Sequence, residues 1–147
     1  MSNVTLAQAS TIVDTALAKG RELGLQPLTV VVLDSGGHMV AMKRADNSGI
    51  LRVEIATGKA WGTLGMGFGG REFARRAASG GAVFLQALMA ASGGRIVPAP
   101  GGVLIRDAGG AIVGAVGISG DTSDKDETCA VYGIQCAGLT PDTGDEA

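Results

Sequence analysis

The sequence predicts an α+β fold, an antiparallel sheet of about five strands with helices packed on it in a profilin-like or PAS-like sandwich. Two observations carry that prediction. The turn Asp-small-Gly-Gly occurs twice between apolar runs, as Asp34-Ser35-Gly36-Gly37 and as Asp107-Ala108-Gly109-Gly110. Asp hydrogen-bonds its own backbone and Gly accepts the positive φ of a reversal, so each copy reads as a β-hairpin. Stretches of helical period precede, separate and follow the two hairpins, which groups the helices outside one sheet. The likeness to profilin and PAS domains is one of shape and not of function.

Each element has a local cause. Thr5-Leu6-Ala7-Gln8 fits a capping box, and Leu6, Ala9, Ile12, Val13, Ala16, Leu17 and Leu23 recur at helical spacing, with Gly24 as cap and Pro27 as stop. Thr29-Val30-Val31-Val32-Leu33 is β-branched without polar alternation, which suits a strand covered on both faces. His38 to Arg44 is its hairpin partner. Ala45-Asp46-Asn47-Ser48-Gly49 forms a polar loop, and a helix from about Leu51 to Leu64 buries Val53, Ala56, Ala60 and Leu64. Gly62 to Gly70 reads as a glycine-rich break, Arg71 to Ala77 as a short helix, and Ala82 to Ala91 as a second with Val83, Leu85, Leu88 and Met89 inward. Ile96-Val97 adds a short edge strand before Pro98 and Pro100. After the second hairpin, Asp124 with Glu127 caps a last helix to Ala137, ended by Gly138. Residues 1–139 thus form one domain, and 140–147 an acidic flexible tail.

Composition bounds the function. The 147 residues include 25 glycines, with 46% hydrophobic, 18% charged and only 3% aromatic residues. A surface this poor in charge points to subunit contacts, so a homo-oligomer is expected. A net charge of −2 and a pI near 5.3 argue against nucleic acid as a partner. No apolar run reaches the length of a membrane span, and no secretory signal is visible, so the cytoplasm is the expected location. Cys129 and Cys136, about 10 Å apart along one helix, are too distant for a disulfide and read as small buried thiols.

Motifs that suggest chemistry mostly dissolve on inspection. Gly65-Met66-Gly67-Phe68-Gly69-Gly70 matches a dinucleotide fingerprint, but a helix precedes it and no acid follows at the required distance. Gly117-Ile118-Ser119-Gly120-Asp121 fails as a nucleophile elbow at its last position. One histidine and two thiols on one helix assemble no zinc site, so no metal is assigned. Haem iron is less demanding, since one axial ligand suffices and His38 or a Met could serve. Arg44, Asp46 and Lys59 are the most suggestive polar set. Lys59 shares a helix face with Arg52, and the cations would rim a cleft that holds a carboxylate, although Arg44 and Asp46 equally suit a surface pair.

In order along the chain, Val32-Leu33-Asp34-Ser35-Gly36-Gly37-His38-Met39-Val40-Ala41, Arg44-Ala45-Asp46, Lys59-Ala60, Pro100-Gly101-Gly102-Val103, Gly114-Ala115-Val116-Gly117-Ile118-Ser119-Gly120 and Asp126-Glu127 resemble the GlcG/HbpS haem-binding family, often described as haem-degrading (DUF336). The resemblance spans nearly the whole chain. It implies an α+β fold, high-order homo-oligomers such as an octamer, and a small ligand in a cleft beside the sheet, with haem or a related tetrapyrrole as the expected cofactor. His38, Arg44, Lys59 and Gly102 are the expected ligand contacts. The family also includes accessory proteins of catabolism, which supports an alternative: a small cofactor-independent isomerase, decarboxylase or hydrolase acting on a carboxylate of aromatic or hydroxy-acid breakdown. Arg44 would then bind the carboxylate, with Lys59, Asp46 or Glu127 moving the proton. A scaffold that only assembles is the third reading.

Overall fold

A computed structural model describes residues 2–145. The elements are α1 (Leu6–Glu22), β1 (Thr29–Asp34), β2 (Met39–Arg44), α2 (Arg52–Met66), α3 (Gly70–Ala78), α4 (Ala82–Ala91), β3 (Gly102–Arg106), β4 (Ile112–Ser119), α5 (Ser123–Cys136) and β5 (Thr140–Asp142). They form one five-stranded sheet in the order β2-β1-β4-β3-β5, antiparallel at every pairing. The predicted α+β architecture is the observed one.

Both hairpins turn by the same device. Asp34 Oδ1 accepts the Gly36 and His38 N–H groups, and Asp107 Oδ1 accepts those of Gly109 and Ala111. Gly37 and Gly110 take φ of 83° and 87°. These hydrogen bonds favour the ionised side chain and hold the Asp34 pKa below its ordinary value, the His38 N–H first among them.

The apolar run of β1 is covered on both sides, as its lack of alternation implied. Val30 and Val32 join Val103, Ile105, Val116 and Ile118 under α1 and α5, where Ile12, Val13, Cys129 and Ile134 close the layer. Val31 and Leu33 face the other way and meet Leu104, Ala115, Ala56 and Ala60 under α2. On that second face Gly102 and Gly117 are cross-strand partners. A Cβ at Gly117 would lie 1.8 Å from the Ala56 carbonyl oxygen, and one at Gly102 2.5 Å from that of Lys59. The paired glycines let the backbone of α2 rest directly on the sheet.

Several expectations are corrected. The helix of α2 runs through Gly62 and Gly65 to Met66 and ends at Gly67 (φ 77°), so the glycine-rich break is only the junction with α3. Thr122, not Asp124 with Glu127, caps α5 by accepting from Lys125 N–H. Ile96 and Val97 form no strand; they pack against Gly62 and Gly58 of α2, and Val97 N–H donates to the Gly58 carbonyl. No residue of α4 is buried: Val83 is 78% exposed, and Phe84 and Met89 are exposed too, contrary to the inward face expected of Val83, Leu85, Leu88 and Met89. Cys129 is buried as expected but Cys136 is exposed.

The acidic tail expected from Thr140 is instead an edge strand for its first three residues, with Pro141 opposite Ile105 and Asp142 bonded to Arg106. Thr143 then accepts from Arg71 N–H at the start of α3. The last two residues of that tail lie outside the described residues.

Two glycines of opposite surroundings test the packing. Gly117→Ala is expected to cost about 1–3 kcal/mol through overpacking against α2. Gly65→Ala, inside α2 with open space at its Cβ, is expected to stabilise by about 0.5–1 kcal/mol. Chemical denaturation of both variants checks the pair.

Candidate functional site

The residues named from the sequence do not share one cleft. Arg44 ends β2 and donates to the Ser48 carbonyl oxygen; Asp46, in the next loop, forms no ion pair with it. His38 lies just before the other end of that strand, about 20 Å away for six extended residues. There it is 81% exposed, with Nδ1 3.2 Å from Asp34 Oδ1. Glu127 is held by Arg71, whose Nε and Nη2 reach its two carboxylate oxygens at 3.1 and 2.8 Å. That bidentate bond, with Asp124 adding another, holds the Arg71 pKa above its ordinary value.

Lys59 is the main correction. It is only 4% exposed and rims no cleft. The close approach of α2 turns its side chain past Gly101, and Nζ donates to the Ile118 carbonyl oxygen at 2.9 Å and to Asp126 Oδ2 at 3.3 Å. Asp126, 1% exposed, accepts the Asp121 N–H with its other oxygen. Burial lowers the Lys59 pKa and raises that of Asp126, each partly countered by the other's charge. The pair joins α2 on one face of the sheet to α5 on the other. Gly102, buried against the Lys59 backbone, supports the helix and contacts no open space. Nothing in the sequence marked Asp126 as the partner. The available signal was a lysine among the alanines and glycines of a core-facing helix.

Asp46, Lys59 and Glu127 therefore have separate surroundings, and no contact joins the three. Among the described residues no group of three or more His, Cys, Asp or Glu could hold a metal ion. Burial pushes the Cys129 thiol up to about 11, away from reactive thiolate chemistry.

A cavity of about 670 Å³ wraps the free edge of β2 beside the C-terminal end of α1. Leu17, Leu25 and Leu28 supply its apolar wall, while Arg21, Lys43 and Arg44 bring three cations against the single acid Asp46; Met42 borders the cavity, but its side chain packs under α2 on the other face of the sheet. Lys43 is shared with Asp14 at 2.8 Å on the exposed flank of α1, whereas the Arg21 side chain has no ion-pair partner among the described residues. Of the expected ligand contacts only Arg44 lies here, and His38, Lys59 and Gly102 do not; Asp46, named for proton transfer, lines the same cavity. Arg21 and Lys43 were missed. Only the fold shows that the end of α1 faces the edge of β2.

The buried pair makes a pH-dependent prediction. A carboxyl whose folded pKa is raised gives its full stability below its ordinary value of 3.8 and loses it as pH rises through the folded value. Lys59→Met removes the charge that restrains the Asp126 shift and raises that pKa further. The deficit of Lys59→Met against the wild type is expected to be small near pH 4 and about 3–5 kcal/mol at pH 7. The double variant Lys59→Met/Asp126→Leu should recover much of the loss. Denaturant unfolding at the two pH values measures it.

Comparison with known proteins agrees with this architecture. A 15.0 kDa protein of Citrobacter freundii from the dhaT-dhaS intergenic region is 28% identical over 136 residues, 92% of this chain and 93% of that protein. The crystal structure of the PduOC–haem complex superposes with a TM-score of 0.84 at 22% identity, covering 97% of this chain and 99% of the other. The DUF336 protein ORFY of Klebsiella pneumoniae gives 0.83 at 25% identity, covering 94% and 92%. The family described as "haem degrading protein HbpS-like" matches residues 4–135. That match takes in every element from α1 to β4 and nearly all of α5, and this chain belongs to the HbpS-like family.

Proposed function

We propose that this protein binds haem or a related planar tetrapyrrole in the cavity at the free edge of β2. The carrying observation is the pairing of an apolar wall with three cations in a volume of about 670 Å³, within the size range of small-molecule and cofactor sites. A tetrapyrrole presents an apolar disc with carboxylates on one side. Leu17, Leu25 and Leu28 suit the disc, and Arg21, Lys43 and Arg44 suit the propionates, the arginines through two parallel hydrogen bonds each. The family description and the haem complex of a protein with the same fold support the reading. His38 and Lys59, at other places in the fold, have no part in it.

We infer also that the chain works as a homo-oligomer. Helix α4 is apolar along its length and buries no residue within the chain. The exposed Val83, Phe84 and Met89 are suited to burial against a second copy.

Titration of haemin is expected to give a saturable Soret change at one haem per chain. Arg21→Ala/Arg44→Ala should weaken binding at least about tenfold, the loss of two charge-assisted contacts. Absence of saturation in the wild type, or equal affinity in the double arginine variant, overturns the site. For assembly, Val83→Asp/Phe84→Asp is expected to reduce the mass measured by light scattering to that of a smaller species while the far-ultraviolet dichroism persists.

A further inference from the structure

A second cavity, of about 490 Å³, lies between α2 and the 93–97 loop and shares no residue with the first. Its walls are mostly apolar, from Val53, Ile55, Trp61 and Val97. Gly58 makes the seam: a Cβ there would stand 2.5 Å from the Arg95 carbonyl oxygen, so the loop lies against the helix only because the side chain is missing. Gly93 and Gly94, with φ of 66° and 80°, carry the chain from α4 into that loop.

Two charges on this cavity are unspent. The Arg95 guanidinium stacks over the Trp61 ring at 4.0 Å and has no hydrogen-bond or ion-pair partner among the described residues. The ring edge in turn lies against Gly37 of the first hairpin, so Trp61 is fixed between the turn and the cation. Stacking holds the guanidinium face on the ring and leaves its N–H edge free for an acceptor. Glu54 lines the same space and forms no ion pair with Arg95, so the two stand more than an ion-pair distance apart. Thr57 shares the lining, and its enclosed hydroxyl has no hydrogen-bond partner.

We propose that this cavity is a second binding site, for an apolar monocarboxylate whose carboxylate meets Arg95 and whose hydrocarbon or aromatic body lies against Trp61, Val53 and Val97. Arg95 supplies the bidentate donor pair, and Thr57 a hydroxyl not yet engaged. Glu54 sets the charge limit: a second carboxylate on the ligand would face it across a largely apolar space, which disfavours dicarboxylates.

Trp61 is the only tryptophan of the chain, so its fluorescence reads this cavity directly. Benzoate and phenylacetate are expected to change that fluorescence saturably, whereas isophthalate and benzylamine are not. Arg95→Gln, at an exposed position, should stay folded with a slightly lower unfolding temperature from the lost stack on Trp61, and weaken benzoate binding at least about tenfold. Arg95→Lys should fall between the two, and Glu54→Gln should admit isophthalate. No saturable change with either monocarboxylate in the wild type overturns the proposal, as does unweakened benzoate binding in Arg95→Gln. Equal affinity for isophthalate and benzoate in the wild type overturns the charge limit. The result is independent of haemin titration, which reads the other cavity.

Discussion

The contact on which the structure depends is the seating of α2 on Gly102 and Gly117. Helix-to-sheet packing normally interposes side chains, and two glycines opposite one another in β3 and β4 remove them. The helix then lies so close that the backbone at Ala56 and Lys59 meets the strands. A side chain leaving the helix at Lys59 has no route to solvent on that line. It passes Gly101 and ends at the Ile118 carbonyl and Asp126. The desolvation of two charges is offset by their mutual attraction and by hydrogen bonds to Ile118 and Asp121. Neither partner alone would be tolerated at this depth, so the pair fixes how α5 sits relative to α2.

The same geometry explains why the segments that carry the family resemblance lie far apart in sequence. Lys59-Ala60, Pro100-Gly101-Gly102-Val103 and Asp126-Glu127 meet at one place, around the buried ammonium group. What unites them is a structural clamp. The first hairpin and Arg44-Ala45-Asp46 lie elsewhere, with Arg44 and Asp46 opening on the cavity beside β2. Clamp and cavity are thus written in different segments, and a reading that merges them puts Lys59 on a rim it does not occupy.

Local chemistry was legible wherever it acts over a few residues. The Asp-small-Gly-Gly turns, the Thr5–Gln8 capping box and the two-sided burial of β1 follow from the sequence and are present. What was not legible depends on distant partners. Asp126 finds Lys59 across 67 positions. Thr140–Asp142 looks like a tail because its three residues carry no β-pattern, and only the open edge of β3 makes them a strand. Helix α4 has an apolar sequence that ordinarily signals the core, yet the sheet has no face left for it. Of the candidate site, Arg44 and Asp46 were found because a hairpin end and its loop are local features. Arg21 was not, because its place beside β2 is a matter of how α1 crosses the edge of the sheet.

The two borders of the sheet constrain how copies can meet. On one side β5 is three residues long and includes Pro141, which has no N–H to offer. On the other, β2 carries Lys43 and Arg44 beside a hollow, so a strand laid alongside would have to bury those charges. Lateral extension of the ladder is therefore blocked at both flanks. Contacts between copies therefore fall to the helical surfaces, of which α4 is the apolar one that the chain itself leaves uncovered.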